Sequence, residues 1–237
     1  SKENAVIGEQ DNRDGIAEFT HHFITRDLPG DESSGYGISA LGDLDNDGDL
    51  DYATCVKQDS IYWFENTGGE EWVKHTVGRI LTTQLGSTIM DVDGDGWQDL
   101  VIGGTWYHNP QKPHSELFKK FVYDDRIVRE IHDIVLADVN GDGNLDVVVL
   151  GDKEGCFWYD IPDQPLQGGN WQRHVITMDV LTDKDAIHSG FFPAGISDLD
   201  GDGDVDIVLP DRWLENRNQG TDWFKHPLPF GKRGPWG

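Results

Sequence analysis

The chain has 237 residues, with 44 Asp and Glu against 19 Lys and Arg, a formal charge of -25. That balance argues against a nucleic-acid footprint, which needs clustered basic side chains, and against attraction to an anionic membrane surface. No apolar run approaches the roughly 20 residues of a membrane-spanning helix, the opening SKENAVIGEQ lacks a signal-peptide core, and nine Trp, ten Phe and six Tyr are too many for a disordered chain.

In chain order, FTHHFI (Phe19 to Ile24) reads as a first strand. GISALG (Gly37 to Gly42) reads as a second, and an acidic loop, DLDNDGDLD (Asp43 to Asp51), follows it. Three more strands complete the unit: DYATCV, IYWFEN and WVKHTV. The same order recurs as GSTIM, the loop DVDGDGWQD (Asp91 to Asp99), DLVIGG, TWYHN and LFKKFV. It recurs again as DIVLA, DVNGDGNLD (Asp138 to Asp146), DVVVLG, CFWYD and WQRHVI. The fourth copy is GIS, DLDGDGDVD (Asp198 to Asp206), DIVLP, RWLEN and WFKHPL. The loops start 48, 47 and 60 residues apart. Turn residues separate the strands, and no amphipathic helix of three turns is evident. Four-stranded units of about 45 residues predict an all-β fold of β-propeller blades, with a sandwich or another β-solenoid as the alternatives.

The loop pattern D-x-[DN]-x-D-G-x-x-D has a chemical meaning. Carboxylates at alternate positions of a tight loop converge on one point, and glycine at the sixth position permits the sharp turn. Oxygen ligands at this density suit Ca²⁺, which takes six to eight of them. The expected ligands of the first loop are Asp43, Asp45, Asp47, the Asp49 carbonyl and Asp51. Those of the second are Asp91, Asp93, Asp95, the Trp97 carbonyl and Asp99. The third offers Asp138, Asn140, Asp142, the Asn144 carbonyl and Asp146; the fourth offers Asp198, Asp200, Asp202, the Asp204 carbonyl and Asp206. An EF-hand needs Glu at the twelfth position on a helix. Here Thr54, Ile102, Val149 and Leu209 stand there inside β-type runs, so that reading fails.

These loops resemble the calcium-binding repeats of FG-GAP and VCBS-type β-propellers, such as integrin α-subunit propellers, over about residues 19 to 228. The resemblance implies calcium, about four ions, held where the first and second strands of each blade meet. It implies partners on the opposite face or between blades. The family includes adhesins, lectins and polysaccharide lyases, so it leaves function open. Residues 1–18 are expected to be an N-terminal extension and 19–237 the propeller domain. With FTHHFI before the first loop and GPWG (Gly234 to Gly237) resembling a blade opening, the count exceeds four blades. The chain is therefore expected to be an arc of a larger propeller, or to carry a degenerate fifth blade. An arc with open sheet edges should pair with a second copy or with the remaining blades.

Trp63, Trp106, Trp158 and Trp213 recur at one strand position, as expected for packing between blades. His22, His75, His174 and His226 recur on the outer strand and read as structural. His132 and His188 fall outside that pattern, in blade-to-blade connections. The connection holding His188 is the longest and also holds Lys184, Asp185, Phe191 and Phe192; long loops on rigid scaffolds often carry function. Asp124, Asp125, Arg126, Arg129 and His132 form a second group. With Arg212, they are candidates to bind an acidic sugar, with His132, His188 and Arg212 as catalytic candidates in a lyase. Trp97 is a candidate for stacking on a sugar. GYGISA precedes a loop rather than a helix, so a dinucleotide reading fails. Cys55 and Cys156 lie on different strands two units apart and read as buried free thiols. The expectation is a calcium-stabilised secreted, cell-surface or periplasmic module that binds a glycan or an extracellular protein. The alternatives are a polysaccharide lyase or hydrolase and a purely structural segment.

Overall fold

The computed structural model describes residues 20–26, 28, 36–56, 59–80, 82, 84–151, 154–180, 195–209 and 211–228. Sixteen strands fall into four antiparallel sheets of four, each a simple meander. Blade 1 holds β1 (Tyr36–Gly42), β2 (Asp51–Val56), β3 (Ser60–Asn66) and β4 (Trp72–Arg79). Blade 2 holds β5 (Ser87–Met90), β6 (Asp99–Ile102), β7 (Thr105–His108) and β8 (Lys119–Val122). Blade 3 holds β9 (Ile131–Ala137), β10 (Asp146–Gly151), β11 (Gly155–Tyr159) and β12 (Arg173–Thr177). Blade 4 holds β13 (Ile196–Ser197), β14 (Asp206–Leu209), β15 (Arg212–Asn216) and β16 (Trp223–Pro227). The only helical element among the described residues is a 3-10 turn at Pro165–Gln167.

The blades stack face to face, and the second strands show why. β6 and β10 are buried at every residue. Successive side chains of a strand point to opposite faces, so a sheet covered on both sides reads as a continuous apolar run. Leu100 and Ile102 join the core shared with blade 1, while Val101 faces blade 3. Val147 and Val149 face blade 2, while Val148 and Leu150 face blade 4. Three apolar clusters thus fill three joints. The innermost strands run side by side, β1 beside β5 and β5 beside β9.

The row has a signature at its end. The second residue of each acidic loop tucks under the next blade: Leu44, Val92 and Val139 are buried. Its counterpart in blade 4, Leu199, is 47 % exposed. Trp213 is likewise half-buried, where Trp63, Trp106 and Trp158 are fully buried. Among the described residues, no fifth sheet covers blade 4.

Two expectations need correction. FTHHFI is not a strand in its described part: residues 20–24 carry no strand hydrogen bonding. Phe23 stays 47 % exposed, with His21 and Arg26 against its ring. LFKKFV is strand only from Lys119. Phe118 instead gives its N–H to the Val77 carbonyl of blade 1 (3.0 Å) and its ring to the joint between blades. GPWG and residues 1–18 lie outside the described residues.

Candidate calcium loops

Each acidic loop joins the first and second strands of its blade. The loop folds on itself through its own carboxylates. The first-position Asp accepts the N–H groups of positions five and six: Asp43 from Asp47 and Gly48 (3.1 and 3.0 Å), Asp91 from Asp95 and Gly96, Asp138 from Asp142 and Gly143. The fifth-position Asp accepts the seventh N–H, as Asp95 does from Trp97 (2.8 Å). The fourth and sixth residues have positive φ, for example Asn46 at 62° and Gly48 at 97°. Glycine and, less often, asparagine tolerate that region, which explains the N-x-G or G-x-G core of every copy.

The ninth-position Asp is the anchor. Asp51 is fully buried and accepts the Leu44 N–H (2.8 Å) and the Asn66 N–H (2.9 Å). Asp99 does the same with Val92 and Asn109, and Asp206 with Leu199 and Asn216. One carboxylate thus ties the loop to the end of the third strand. In three loops, carboxylate oxygens of positions one, three and nine lie within 4.8 Å of one another: Asp43, Asp45 and Asp51; Asp91, Asp93 and Asp99; Asp198, Asp200 and Asp206. In the remaining loop, position three is Asn140. Its Oδ1 accepts the Asp142 N–H (2.9 Å) and its amide donates to Asp160 (2.8 Å).

Gathering these acids costs free energy. Burial pushes the Asp51 carboxyl up to about 6, and the repulsion of Asp45 and Asp47 adds to it. Burial likewise raises Asp99 and Asp146 to about 7, and Asp206 and Asp45 move in the same direction. A divalent cation among the oxygens would offset that cost. The donor set, oxygen only and pre-turned towards one point, fits Ca²⁺.

The other sequence candidates separate. Trp97 is half-buried. Arg126 forms a bidentate pair with Asp124 (2.8 and 2.9 Å), whereas Arg129 is exposed. The Asp124 carboxylate is buried and also accepts from Arg173 (2.7 Å) and the Tyr159 hydroxyl (2.8 Å) of blade 3. The expected grouping of Asp124, Arg126, Arg129 and His132 is therefore in part an interblade lock. Arg212 is buried, with its guanidinium on Asp211 (2.7 Å) and Asp179 (2.5 Å), so it clamps the neighbouring segments. His132 lies on β9, not in a connection, 3.3 Å from Asp133 and at the strand end away from the acidic loop. His188, Lys184 and Phe191 fall outside the described residues. Cys55 and Cys156 form no disulfide and are buried, and burial pushes the Cys156 thiol well up.

Sequence reasoning missed two histidines beside the loops. His108 Nε2 stands 3.1 Å from Asp93, and His114 Nε2 stands 3.2 Å from Asp45. The first was detectable, since His108 occupies the column of Glu65, Asp160 and Glu215. The second sits in the irregular NPQKPHSE segment and carries no periodic signal.

Comparison with known proteins agrees with this geometry. Residues 43–102 and 91–149 match the FG-GAP-like repeat, so the chain contains two such repeats within its row of propeller blades. Over an alignment of 139 positions that covers 49 % of the chain, it is 24 % identical to aldos-2-ulose dehydratase of Phanerodontia chrysosporium. The matched part is 14 % of that enzyme's length.

Proposed function

We propose that this chain is a calcium-stabilised propeller module that presents a carbohydrate-recognising surface outside the cytoplasm. The observation that carries the calcium reading is the meeting of first, third and ninth carboxylates in three loops, with the same backbone turn in the Asn140 loop. Four ions, one per loop, are expected. Calcium here is structural: it holds each acidic loop in the turned form that ties the first two strands to the third. Extracellular modules of this kind bind calcium at about 10⁻⁴–10⁻³ M, which suits a calcium-rich exterior rather than the cytosol.

Carbohydrate as the ligand class is supported by the similarity to a dehydratase named for a sugar-derived substrate. The face away from the acidic loops, where His132 stands, is the proposed contact surface. The enzymatic alternative, chemistry on a sugar at that face, draws on the same similarity. The test has two parts. Calcium titrated into chelated protein should raise the melting temperature and saturate near four equivalents; a melting curve that excess EDTA leaves unchanged would sink the calcium reading. A glycan array run with calcium, followed by a product assay on each hit, then separates binding from turnover. Turnover lost in His132→Ala favours the enzyme, and binding without turnover favours the module.

A further inference from the structure

Three blades repeat a Trp–His–acid arrangement on their third and fourth strands. His75 stacks on Trp63 (centroids 4.4 Å apart) and its Nε2 lies 2.7 Å from Glu65 Oε2. His174 stacks on Trp158 (3.9 Å) and meets Asp160 (2.8 Å). His226 stacks on Trp213 (4.1 Å) and meets Glu215. In blades 3 and 4 this is a packing device: a hydrogen bond holds the imidazole flat against the indole.

Blade 1 differs in one respect. The segment between β7 and β8 of blade 2 reaches over and places His114 beside the pair. His114 Nε2 lies 3.4 Å from the same Glu65 oxygen and 3.2 Å from Asp45 Oδ2. The two imidazoles meet edge to face, with centroids 5.1 Å apart. Donor atoms of Glu65, His75 and His114 all lie within 4.8 Å of one another. A small open cleft of about 240 Å³, lined by His75, His114 and residues 113–117, gives access from solvent. Trp63 also differs from its counterpart. Trp158 Nε1 donates to the Gly220 carbonyl of the next blade (3.0 Å), whereas the fully buried Trp63 Nε1 has no such partner. The segment that supplies a backbone acceptor at one joint supplies an imidazole at the other.

We propose that Glu65, His75 and His114, with Asp45 alongside, form a binding site for a borderline divalent cation of the zinc type. The donor chemistry separates it from the acidic loops. Two imidazole nitrogens and a carboxylate suit Zn²⁺, Co²⁺ or Ni²⁺, whereas Ca²⁺ takes oxygen. Tetrahedral ligands at about 2.0–2.1 Å stand about 3.3 Å apart, close to the His114–Glu65 and His114–Asp45 distances. The His75–Glu65 pair has to open by about half an ångström, within the reach of a glutamate side chain. Because His114 belongs to blade 2 and the other ligands to blade 1, the ion would pin one blade to its neighbour, next to the first calcium loop.

The test uses the full chain saturated with calcium, so that zinc does not enter the acidic loops. Calorimetric titration with Zn²⁺ should show one equivalent at micromolar affinity. Co²⁺ should give the intense visible bands of a low-symmetry site with nitrogen ligands. His114→Gln, in a half-exposed segment where folding is not at stake, should weaken that equivalent by about ten-fold or more. His174→Gln removes the same packing histidine in blade 3, where no second imidazole arrives among the described residues, and should leave zinc binding unchanged. His21→Gln with His22→Gln controls for the exposed histidines ahead of β1. The proposal is overturned if no zinc binds, if His114→Gln binds as tightly as the parent, or if the equivalent disappears in His174→Gln or in the His21/His22 double variant.

Discussion

The joints between the blades are not built alike. Between blades 1 and 2, the buried Asn109 at the end of the third strand donates to the Leu44 and Gln98 carbonyls (2.8 and 2.9 Å). Between blades 3 and 4, Asn216 does the same to the Val139 carbonyl (2.9 Å). Each asparagine reaches back from one blade to the acidic loop before it. Between blades 2 and 3 the equivalent residue is Ile161, which packs on the shared apolar cluster instead. Polar cohesion at that joint comes from elsewhere: Asp124 with Arg126, Arg173 and Tyr159, and Asp125 paired with Asn170 (2.7 Å). The middle joint thus gathers several side-chain contacts on one buried carboxylate, beside the bonds of Gln84 and Gly86 to Ile131 (2.8 and 2.9 Å), whereas the asparagines of the outer joints bond to loop backbone, and the joint between blades 3 and 4 adds the Arg212–Asp179 pair. Calcium is therefore expected to matter more for the outer joints, whose asparagines lean on loop backbone.

The largest effect is expected at the concentrated point. Asp124→Ala leaves Arg173 and the Tyr159 hydroxyl without their acceptor and should destabilise the fold by about 3 kcal/mol or more, read as a shift of the urea midpoint in saturating calcium. Its pH dependence has a defined sign. Burial pushes the Asp124 carboxyl up, but the hydrogen bonds from Arg126, Arg173 and Tyr159 outweigh it and hold the carboxyl below its ordinary 3.8. The contribution is then complete above that value and lost as pH falls through the lower, folded one. Asp124→Asn should flatten the loss of stability of the parent below about pH 4; an unchanged acid limb would show that the middle joint rests on packing alone.

Asn109→Ala and Asn216→Ala come next, at about 1–3 kcal/mol each, because each leaves buried backbone carbonyls unpaired. Calcium removal should shrink that difference, since the loops they brace would already be loosened; equal effects with and without calcium would break the proposed distinction between joints. Tyr159→Phe removes one donor to Asp124 and should cost about 1 kcal/mol. The smallest effect is expected for Ile161→Asn. It transplants the outer-joint residue into the middle joint, trading apolar packing for a possible bond to the Val92 carbonyl, and should stay within about 1 kcal/mol of the parent. A large loss would show that the apolar contact at Ile161 is indispensable to the middle joint.

Much of this was legible in the residues. The four loops, the four strands per unit and the central apolar runs follow from local chemistry. Aspartates at alternate positions around a glycine favour a tight turn, and DVVVLG, short, β-branched and bounded by turn residues, reads as a strand covered on both faces. The recurring Trp63, Trp106 and Trp158 were legible as interblade packing, whereas Trp213, read with them, lies half-buried at the end of the row. What was not legible were pairings between units. FTHHFI has the composition of an outer strand, yet its described part pairs with no sheet, because composition cannot supply an edge to pair with. Arg212 and Arg126 looked free to meet an acidic ligand but are held by Asp211, Asp179 and Asp124, partners that no spacing announces.

By itself, then, the sequence determined the blade. Its repeat, its acidic loop and its strand alternation are encoded within about 45 residues and rest on local turns and period-two burial. The tertiary structure alone decided how blades meet. Asp124 meets Arg173 across 49 positions, and His114 meets Asp45 across the blade boundary. Such contacts depend on the length and path of the irregular segments between strands, where no periodicity constrains the chain. That is also why, among the described residues, the His75–His114 pair arises at one joint and not at the others.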